Sequence, residues 1–231
     1  MKPPFFPQHA VMFLLALAAS SAFALSLSDL TSQEASGGLK AALEKGSSVA
    51  VSRLGAKDGF LGNDKVKIGL PGVLEQARPL LAMTGRGQQL DDLVVSMNRA
   101  AESAVPMAKP LLLNAVKSMS VSDAKNILSG GETSVTDFFR EKTSGALGVK
   151  FLPIVKKITD RSGLSAKYNA TMSQASKLNL VSQEQSTVEG YVTQRALDGL
   201  YYMIGEEEKA IRRDPIGAGS AIIGKVFGSL K

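Results

Sequence analysis

The spacing of apolar residues predicts α-helices along almost the whole chain. Leu39, Leu43, Ala50 and Leu54 follow one another at helical intervals, as expected for one face of a helix that begins near residue 31. The same spacing predicts further helices at residues 72–83, 88–104, 111–119, 121–129, 134–147, 149–161, 164–178, 187–213 and 216–230.

Prolines mark two of the predicted helix boundaries. Pro106 and Pro110 predict a kink or a restart, because proline removes a helical hydrogen bond and its ring clashes with the preceding turn. Asp214 precedes Pro215, and a residue before proline avoids helical angles. We therefore expect the long helix that starts near residue 187 to end there.

One short stretch has strand character. The turn-rich residues 55–64 lead into Val66, Lys67 and Ile68, which are too few to build a sheet. No composition shift, linker or internal repeat marks a second domain. The sequence thus predicts a single all-α, multi-helix domain at residues 25–231, with at most one short extended segment near residues 65–70.

Four matches to the capping box support the predicted helix starts. In this motif a Ser or Thr side chain accepts a hydrogen bond from the backbone three residues later, and an acidic side chain there bonds back. One match is weak, but four matches at the heads of periodic segments reinforce one another. They are Thr31 with Glu34, Ser120 with Asp123, Ser134 with Asp137, and Ser186 with Glu189.

The first 24 residues have the pattern of a secretory signal peptide. Lys2 supplies a positive charge, residues 11–19 are apolar, and Ala22-Phe23-Ala24 has the small-x-small pattern of a cleavage site. The apolar run is about half of the roughly 20 residues that a membrane-spanning helix needs, which disfavours the alternative of an uncleaved anchor. We expect cleavage after Ala24 and a periplasmic product without a transmembrane segment.

Composition narrows the chemistry of the chain after residue 24. That part has no histidine, cysteine or tryptophan, which removes most nucleophile–base pairs and most transition-metal sites. Without Lys2 the net charge is +5, and a basic surface attracts anions. The densest basic stretch is Lys150, Lys156, Lys157 and Arg161, and smaller ones are Lys65 with Lys67 and Arg212 with Arg213. Export argues against nucleic acid, and no aromatic residues interleave with these stretches to stack bases. We expect no metal and no cofactor.

The long helix near the C-terminus places Glu207 within an apolar face. A buried carboxylate is costly unless it is paired or protonated, and one with a raised pKa can act as a general acid or base. The alternatives are an ion pair with a neighbouring helix, simple exposure beyond the end of the core, and a carboxylate-based enzyme with Asp198 and Glu102 as further candidates. The apolar face consists of Val192, Ala196, Leu197, Leu200, Met203, Ile204 and Ile211.

The run Glu206, Glu207 and Glu208 has the oxygen ligands that a hard cation prefers. Three consecutive helical residues point in three directions, so they cannot converge on one ion. Glu208 precedes Arg212 by one turn, which favours a helical ion pair. We expect this run to be mostly a solvated face.

Two polar clusters are candidate binding sites. Asn98, Arg99 and Glu102 lie beside an apolar helix face, where a guanidinium group can bind a carboxylate or phosphate, or cross-link helices. The back face of the long helix interleaves aromatic rings with charges, which predicts a second packing layer or a wall facing a ligand. Its residues are Tyr191, Arg195, Asp198 and Tyr202.

The amphipathic residues 216–230 form a third candidate surface. This segment either belongs to the core or docks onto a partner protein or a membrane. The contacts in the second case would be Ile222, Ile223, Val226 and Phe227.

Short sequence phrases along the chain carry a family resemblance. Among them are Gly59-Phe60-Leu61-Gly62-Asn63, Met97-Asn98-Arg99-Ala100-Ala101-Glu102, Ala196-Leu197-Asp198-Gly199-Leu200, and Ile211-Arg212 with Asp214-Pro215. Together they resemble the bacterial domain-of-unknown-function family numbered 4197. The resemblance implies an exported, helix-rich protein with no established activity, cofactor or catalytic residue.

The favoured hypothesis is a non-catalytic periplasmic protein. Its expected partner is an apolar or anionic envelope component, or another periplasmic protein, bound between the helices. It follows from the missing catalytic residue types, the basic surface and the amphipathic last segment. The alternative is the carboxylate-based enzyme with Glu207 as acid or base.

Overall fold

The computed structural model describes residues 32–131, 133–161, 163–177, 186–214, 217 and 221–228. Over this part of the chain the regular secondary structure is helical, which confirms the all-α prediction. A 3₁₀ turn at Val105–Met107 separates the helix that ends at Ala104 from the one that begins at Ala108, as Pro106 predicted. The helices are α1 (Ser32–Leu54), α2 (Gly72–Met83), α3 (Gly87–Ala104), α4 (Ala108–Lys117), α5 (Val121–Ser129), α6 (Ser134–Thr159), α7 (Gly163–Lys177), α8 (Val188–Arg213) and α9 (Ala221–Gly228).

Three predictions lie outside the described residues. They are the signal peptide, its cleavage after Ala24, and the hydroxyl of Thr31 as a helix cap. Within the described residues, no helix has both the length and the apolarity that crossing a membrane requires.

Helix α8 lies at the centre of the bundle. It packs mainly against α6 and α1, and also contacts α3. Every residue of its predicted apolar face is buried, because the helical period puts those positions in one stripe. A single cluster of buried hydrophobic residues draws on each of the helices α1 to α9.

Helix α6 runs unbroken through a position where the sequence predicted two helices. The predicted division between residues 147 and 149 is wrong, since Ser134–Thr159 is one helix that contains Gly148 and Pro153. Glycine costs a helix about 1 kcal/mol relative to alanine. Burial of Leu147 and Phe151 on either side of Gly148 outweighs that local preference.

A capping box begins α5. The hydroxyl of Ser120 accepts a hydrogen bond from the Asp123 N–H at 3.0 Å, and the Asp123 carboxylate accepts one from the Ser120 N–H at 2.9 Å. The bond from the Ser120 N–H lowers the pKa of the Asp123 carboxyl most, and a bond from the Ser120 hydroxyl to the same carboxylate at 2.8 Å lowers it further. This predicted capping box is confirmed.

Two other capping boxes are wrong by one residue. Ser134 is the first residue of α6 rather than its cap, and its hydroxyl donates to the Gly131 carbonyl at 2.9 Å. Thr187, not Ser186, caps α8 by accepting a hydrogen bond from the Gly190 N–H at 3.0 Å. Each predicted cap has a threonine next to it, Thr133 beside Ser134 and Thr187 beside Ser186, and the sequence alone does not determine which of the two hydroxyl-bearing residues is the cap.

Helix α9 packs on α1. Ile223 and Val226 are buried in that contact, so the core alternative holds for these two residues and the docking alternative does not. A Cβ atom on Gly38 would clash with Val226, which is why α1 tolerates a glycine there. Ile222 stays exposed, and the side chain of Phe227 lies outside the described residues.

Candidate functional site

The segment at residues 65–70 lies between α3 and α8. It leaves a turn, in which the N–H groups of Val66 and Lys67 donate to the Asn63 carbonyl at 3.0 and 2.8 Å, and residues 67–70 then run extended. Val66, Ile68 and Leu70 are buried while Lys67 and Gly69 are exposed, which is the alternation of a β-strand. The described residues contain no β-strand, so the predicted strand character of Val66, Lys67 and Ile68 is wrong as secondary structure and holds only as this alternation of burial. Side chains, rather than a neighbouring strand, bond the backbone of Ile68 and Gly69.

Asn98 on α3 supplies the bonds on one edge of this segment. Its Oδ1 accepts a hydrogen bond from the Ile68 N–H at 2.8 Å, and its Nδ2 donates to the Ile68 carbonyl at 2.8 Å. Nδ2 also donates to the Val94 carbonyl one turn back, at 2.7 Å. The buried amide of Asn98 is thus fully used within the protein.

Glu102 and Arg99 fix the preceding loop in the same way. One Glu102 oxygen accepts hydrogen bonds from the N–H groups of Phe60 and Leu61, each at 3.1 Å. The Arg99 guanidinium lies 2.6 Å from the other Glu102 oxygen and 2.7 Å from an oxygen of Asp58. The cross-linking interpretation of the Asn98, Arg99 and Glu102 cluster is confirmed, with a loop rather than a helix as the partner.

Gly199 allows this loop to lie directly on α8. A Cβ atom at that position would come within 2.8 Å of a Phe60 ring carbon and 3.3 Å of the Val66 Cβ. Any larger residue would therefore push the loop away from the helix. The close approach sets the distance between the 65–70 segment and α8.

A groove of about 750 Å³ separates the 65–70 segment from the outer face of α8. We call it the basic groove. Three predicted binding residues, Tyr191, Asp198 and Tyr202, line it, so the back face of α8 borders open space at these positions. The start of α6 closes one side. The other residues of the lining are Lys65, Val66, Lys67, Ile68, Gly69, Leu70, Thr133, Thr136, Arg140, Arg195, Gly199, Gly205, Glu206 and Lys209.

Cations outnumber carboxylates in the basic groove. Asp198 and Glu206 are its two acidic residues, against five basic ones, which gives a net charge of +3. Such an excess in a concave surface attracts anions. The basic residues are Lys65, Lys67, Arg140, Arg195 and Lys209.

Both carboxylates of the groove are already paired. Asp198 accepts a hydrogen bond from Arg140 at 3.0 Å, and Glu206 lies 3.3 Å from the Lys65 ammonium and 3.4 Å from that of Lys209. The hydrogen bond with Glu206 raises the pKa of Lys65 and lowers the pKa of Glu206, so both stay charged at neutral pH.

Lys67 and Arg195 are the two groove cations without a carboxylate partner among the described residues. Both side chains are exposed. The Arg195 guanidinium instead lies over the Tyr191 ring, 5.5 Å from its centroid. The Tyr191 hydroxyl in turn donates to the Gly69 carbonyl at 3.2 Å, so this ring is held in place across the groove.

The three candidate acid–base residues lie in separate places. Glu207 forms an ion pair with Arg53 of α1, as the ion-pair interpretation predicted. Asp198 lies nine residues earlier on α8, which is two and a half turns and puts it on the opposite face. Glu102 lies on α3 and accepts hydrogen bonds from the loop at Phe60 and Leu61. The structure brings no two of these carboxylates together.

The three consecutive glutamates diverge from one another, as their spacing on a helix predicted. Glu206, Glu207 and Glu208 point to different cations, namely Lys65, Arg53 and Arg212. Within the described part of the chain, no three side chains of metal-binding type come together. The expected exposure of the run is wrong for Glu208, which is 4% exposed.

Sequence reasoning found part of the groove. It identified the α8 face and the pair Lys65 and Lys67 as a small basic stretch. It missed Arg140 and Lys209, which are far from that pair along the chain. A helical wheel of α8 would have found Lys209, because it lies seven residues after Tyr202 and thus on the same face.

A family model described as "Protein of unknown function (DUF4197)" matches residues 29–228 of the chain. No curated protein and no solved structure matches the chain.

Proposed function

The chain belongs to the family described as Protein of unknown function (DUF4197), and we propose that it is an exported, non-catalytic protein that binds an anionic ligand of the cell envelope. The basic groove is the proposed binding site. The observation that carries this proposal is a pair of exposed cations, Lys67 and Arg195, in a groove of net charge +3; neither has a carboxylate partner in the part of the chain that the structure describes.

The arrangement of the groove supports binding rather than a merely solvated surface. Ion pairs with Asp198 and Glu206 already hold three of its five cations in place, so these side chains lose little conformational freedom when a ligand binds. Preorganised groups lose less conformational entropy on binding. The exposed ring of Tyr202 and the hydroxyl of Thr136 offer further contacts on the same surface.

The proposed export is supported by the signal pattern that ends at Ala24. The family match begins at residue 29, after the proposed cleavage site. The intact mass of the protein recovered from a periplasmic fraction tests it. A mass that starts at Leu25 is the expected result, whereas protein retained in the cytoplasm with residues 1–24 attached would overturn the proposal.

Binding is tested with fluorescein-labelled decaglutamate, followed by fluorescence anisotropy at increasing NaCl concentrations. Replacing both unpaired cations, as Lys67→Ala with Arg195→Ala, should weaken binding roughly tenfold, because each exposed ion pair contributes up to about 1 kcal/mol. Binding should also weaken with salt, since added ions screen exposed charges.

The matched control removes the same charges elsewhere, as Arg86→Ala with Lys109→Ala. Both side chains are exposed and lie outside the groove. Equal losses in the two double variants would show that only net charge matters and would overturn the proposed site. Failure of the unaltered chain to bind the probe at low salt would overturn the proposal as a whole.

A further inference from the structure

The extended 65–70 segment has two backbone edges, and only one of them is used fully. In an extended chain the N–H and C=O of one residue point to the same side, and those of its neighbours point to the other. The Ile68 groups point to α3, where Asn98 binds both of them. The Gly69 carbonyl points to α8, where the Tyr191 hydroxyl binds it, and the Gly69 N–H and the Lys67 carbonyl belong to the same edge, while the Lys67 N–H turns back to the Asn63 carbonyl.

On the edge that faces α8, two backbone groups lack a partner. The Lys67 N–H donates to the Asn63 carbonyl at 2.8 Å, and the Gly69 carbonyl accepts from Tyr191. The Lys67 carbonyl and the Gly69 N–H make no hydrogen bond with any described residue. These two groups flank Ile68 on the open edge, and both residues line the basic groove.

The two unbonded backbone groups are one acceptor and one donor, and few kinds of anionic ligand can bind both. A phosphate or a carboxylate could accept a hydrogen bond from the Gly69 N–H, but it offers no donor to the Lys67 carbonyl. A peptide backbone offers both, at the spacing of a neighbouring strand. An exposed strand edge is a template for such pairing.

Resting on the proposed function, we infer that the ligand of the basic groove is an extended acidic peptide segment of a partner protein. Its backbone pairs with the 65–70 segment at one place only, by bonding the Lys67 carbonyl and the Gly69 N–H, because Asn63 and Tyr191 already bind the Lys67 N–H and the Gly69 carbonyl. Its acidic side chains face Lys67 and Arg195. Because alternate side chains of a strand share one side, the acidic residues occupy every second position.

The stretch of α8 between the two tyrosines of the groove sets a minimum length for the peptide. Tyr191 and Tyr202 line the groove and are eleven residues apart on α8, which corresponds to about 16 Å along the helix axis. An extended peptide covers that distance with about five residues, at roughly 3.3 Å for each. A decapeptide therefore spans this stretch in any register.

The first test changes only the backbone donor. The probe is a fluorescein-labelled decapeptide of alternating Glu and Val, again followed by anisotropy. Gly69→Pro removes the N–H and should weaken binding roughly three- to tenfold, the effect of one net hydrogen bond. Gly69→Ala keeps the N–H and should bind within twofold of the unaltered chain, because a Cβ there has open space around it.

The second test leaves the protein unaltered, so folding of a variant cannot confuse it. Two further peptides carry backbone N-methyl groups, one on every Glu and the other on every Val. An added strand uses only the N–H groups of one edge, so one methylated peptide should lose at least fivefold more affinity than the other.

The outcomes separate this inference from the proposed function. If Gly69→Pro binds as Gly69→Ala does, and both methylated peptides bind alike, the ligand does not pair with the segment and the inference fails. Loss of binding in the Lys67→Ala and Arg195→Ala double variant would then still support an anion-binding groove. If the unaltered chain binds neither the alternating peptide nor decaglutamate, both proposals fail.

Discussion

The side-chain amide of Asn98 forms two hydrogen bonds of 2.8 Å with the backbone of Ile68, one to its N–H and one to its carbonyl. A primary amide has the same donor and acceptor pair as a residue of a neighbouring strand. Asn98 thus takes the place of a strand partner in a helical protein. It also determines which edge of the 65–70 segment is left facing the basic groove.

We predict that Asn98→Leu destabilises the protein by about 2–4 kcal/mol. The change leaves the N–H and C=O of Ile68 without partners although Ile68 is 2% exposed, and each such group costs about 1–3 kcal/mol. Urea unfolding followed by circular dichroism measures the loss. The exposed Asn114→Ala serves as a control and should change stability by less than about 0.5 kcal/mol. Similar values for the two variants would contradict the role of Asn98.

Gly199→Ala and Gly145→Ala should have effects of opposite sign. A Cβ atom at Gly199 would lie 2.8 Å from the Phe60 ring, and overpacking of this kind costs about 1–3 kcal/mol. A Cβ atom at Gly145, within α6, meets nothing within 4 Å, so alanine should stabilise the helix by about 0.5–1 kcal/mol. Thermal unfolding of the two variants checks this, and a stabilised Gly199→Ala would show that Phe60 is not held against α8.

Tyr201 should make the protein less stable at alkaline pH. Its ring is fully buried, its hydroxyl lies 2.8 Å from that of Thr143, and burial raises its pKa above the ordinary value of 10.0. The folded state therefore holds the phenol proton more tightly than the unfolded state does. The stabilisation is complete below about pH 10 and is lost as the pH rises through the folded-state pKa.

The measurement is urea unfolding of the protein and of Tyr201→Phe between pH 8 and pH 11. At pH 8 the variant should be less stable by about 1 kcal/mol, because it lacks the hydrogen bond with Thr143. That difference should shrink as the pH rises, since the variant has no phenol to ionise at this position. The prediction is wrong if the difference stays constant across the range.

Glu207→Leu should be nearly neutral while Glu208→Ala should be costly. Glu207 pairs with Arg53, whose side chain is 63% exposed, and surface ion pairs contribute about 0–1 kcal/mol. The Glu208 side chain is 3% exposed and binds Arg212, which also donates to the Ile127 carbonyl of α5 at 3.3 Å. Removing Glu208 leaves a largely covered cation and should cost about 2–3 kcal/mol. Chemical unfolding of both variants measures the two losses of stability. A larger loss in Glu207→Leu than in Glu208→Ala would contradict the prediction.

Much of the secondary structure was predictable because it depends on residues within about four positions of each other. The spacing of Leu200, Ile204 and Ile211 predicted the buried face of α8, and the pair Ser120 and Asp123 predicted the start of α5. The local rule failed at Gly148, where burial of the flanking residues against other helices outweighed a propensity cost.

The candidate site was predictable only in pieces. The sequence alone determined that the protein is helical, that Tyr191, Asp198 and Tyr202 share one face of α8, and that Lys65 and Lys67 form a small basic stretch. These properties follow from the helical period and from adjacency in the chain.

Only the tertiary structure decided which of these pieces meet. Asn98 reaches Ile68 thirty residues earlier, and Arg140 reaches Asp198 fifty-eight residues later. A helical wheel gives the direction of a side chain but not the partner that lies there. The partner decides whether a polar residue is used within the fold, as Asn98 is, or left to face the groove, as Lys67 and Arg195 are. Packing of α3, α6 and α8 around the 65–70 segment therefore made a site from residues whose local patterns were unrelated.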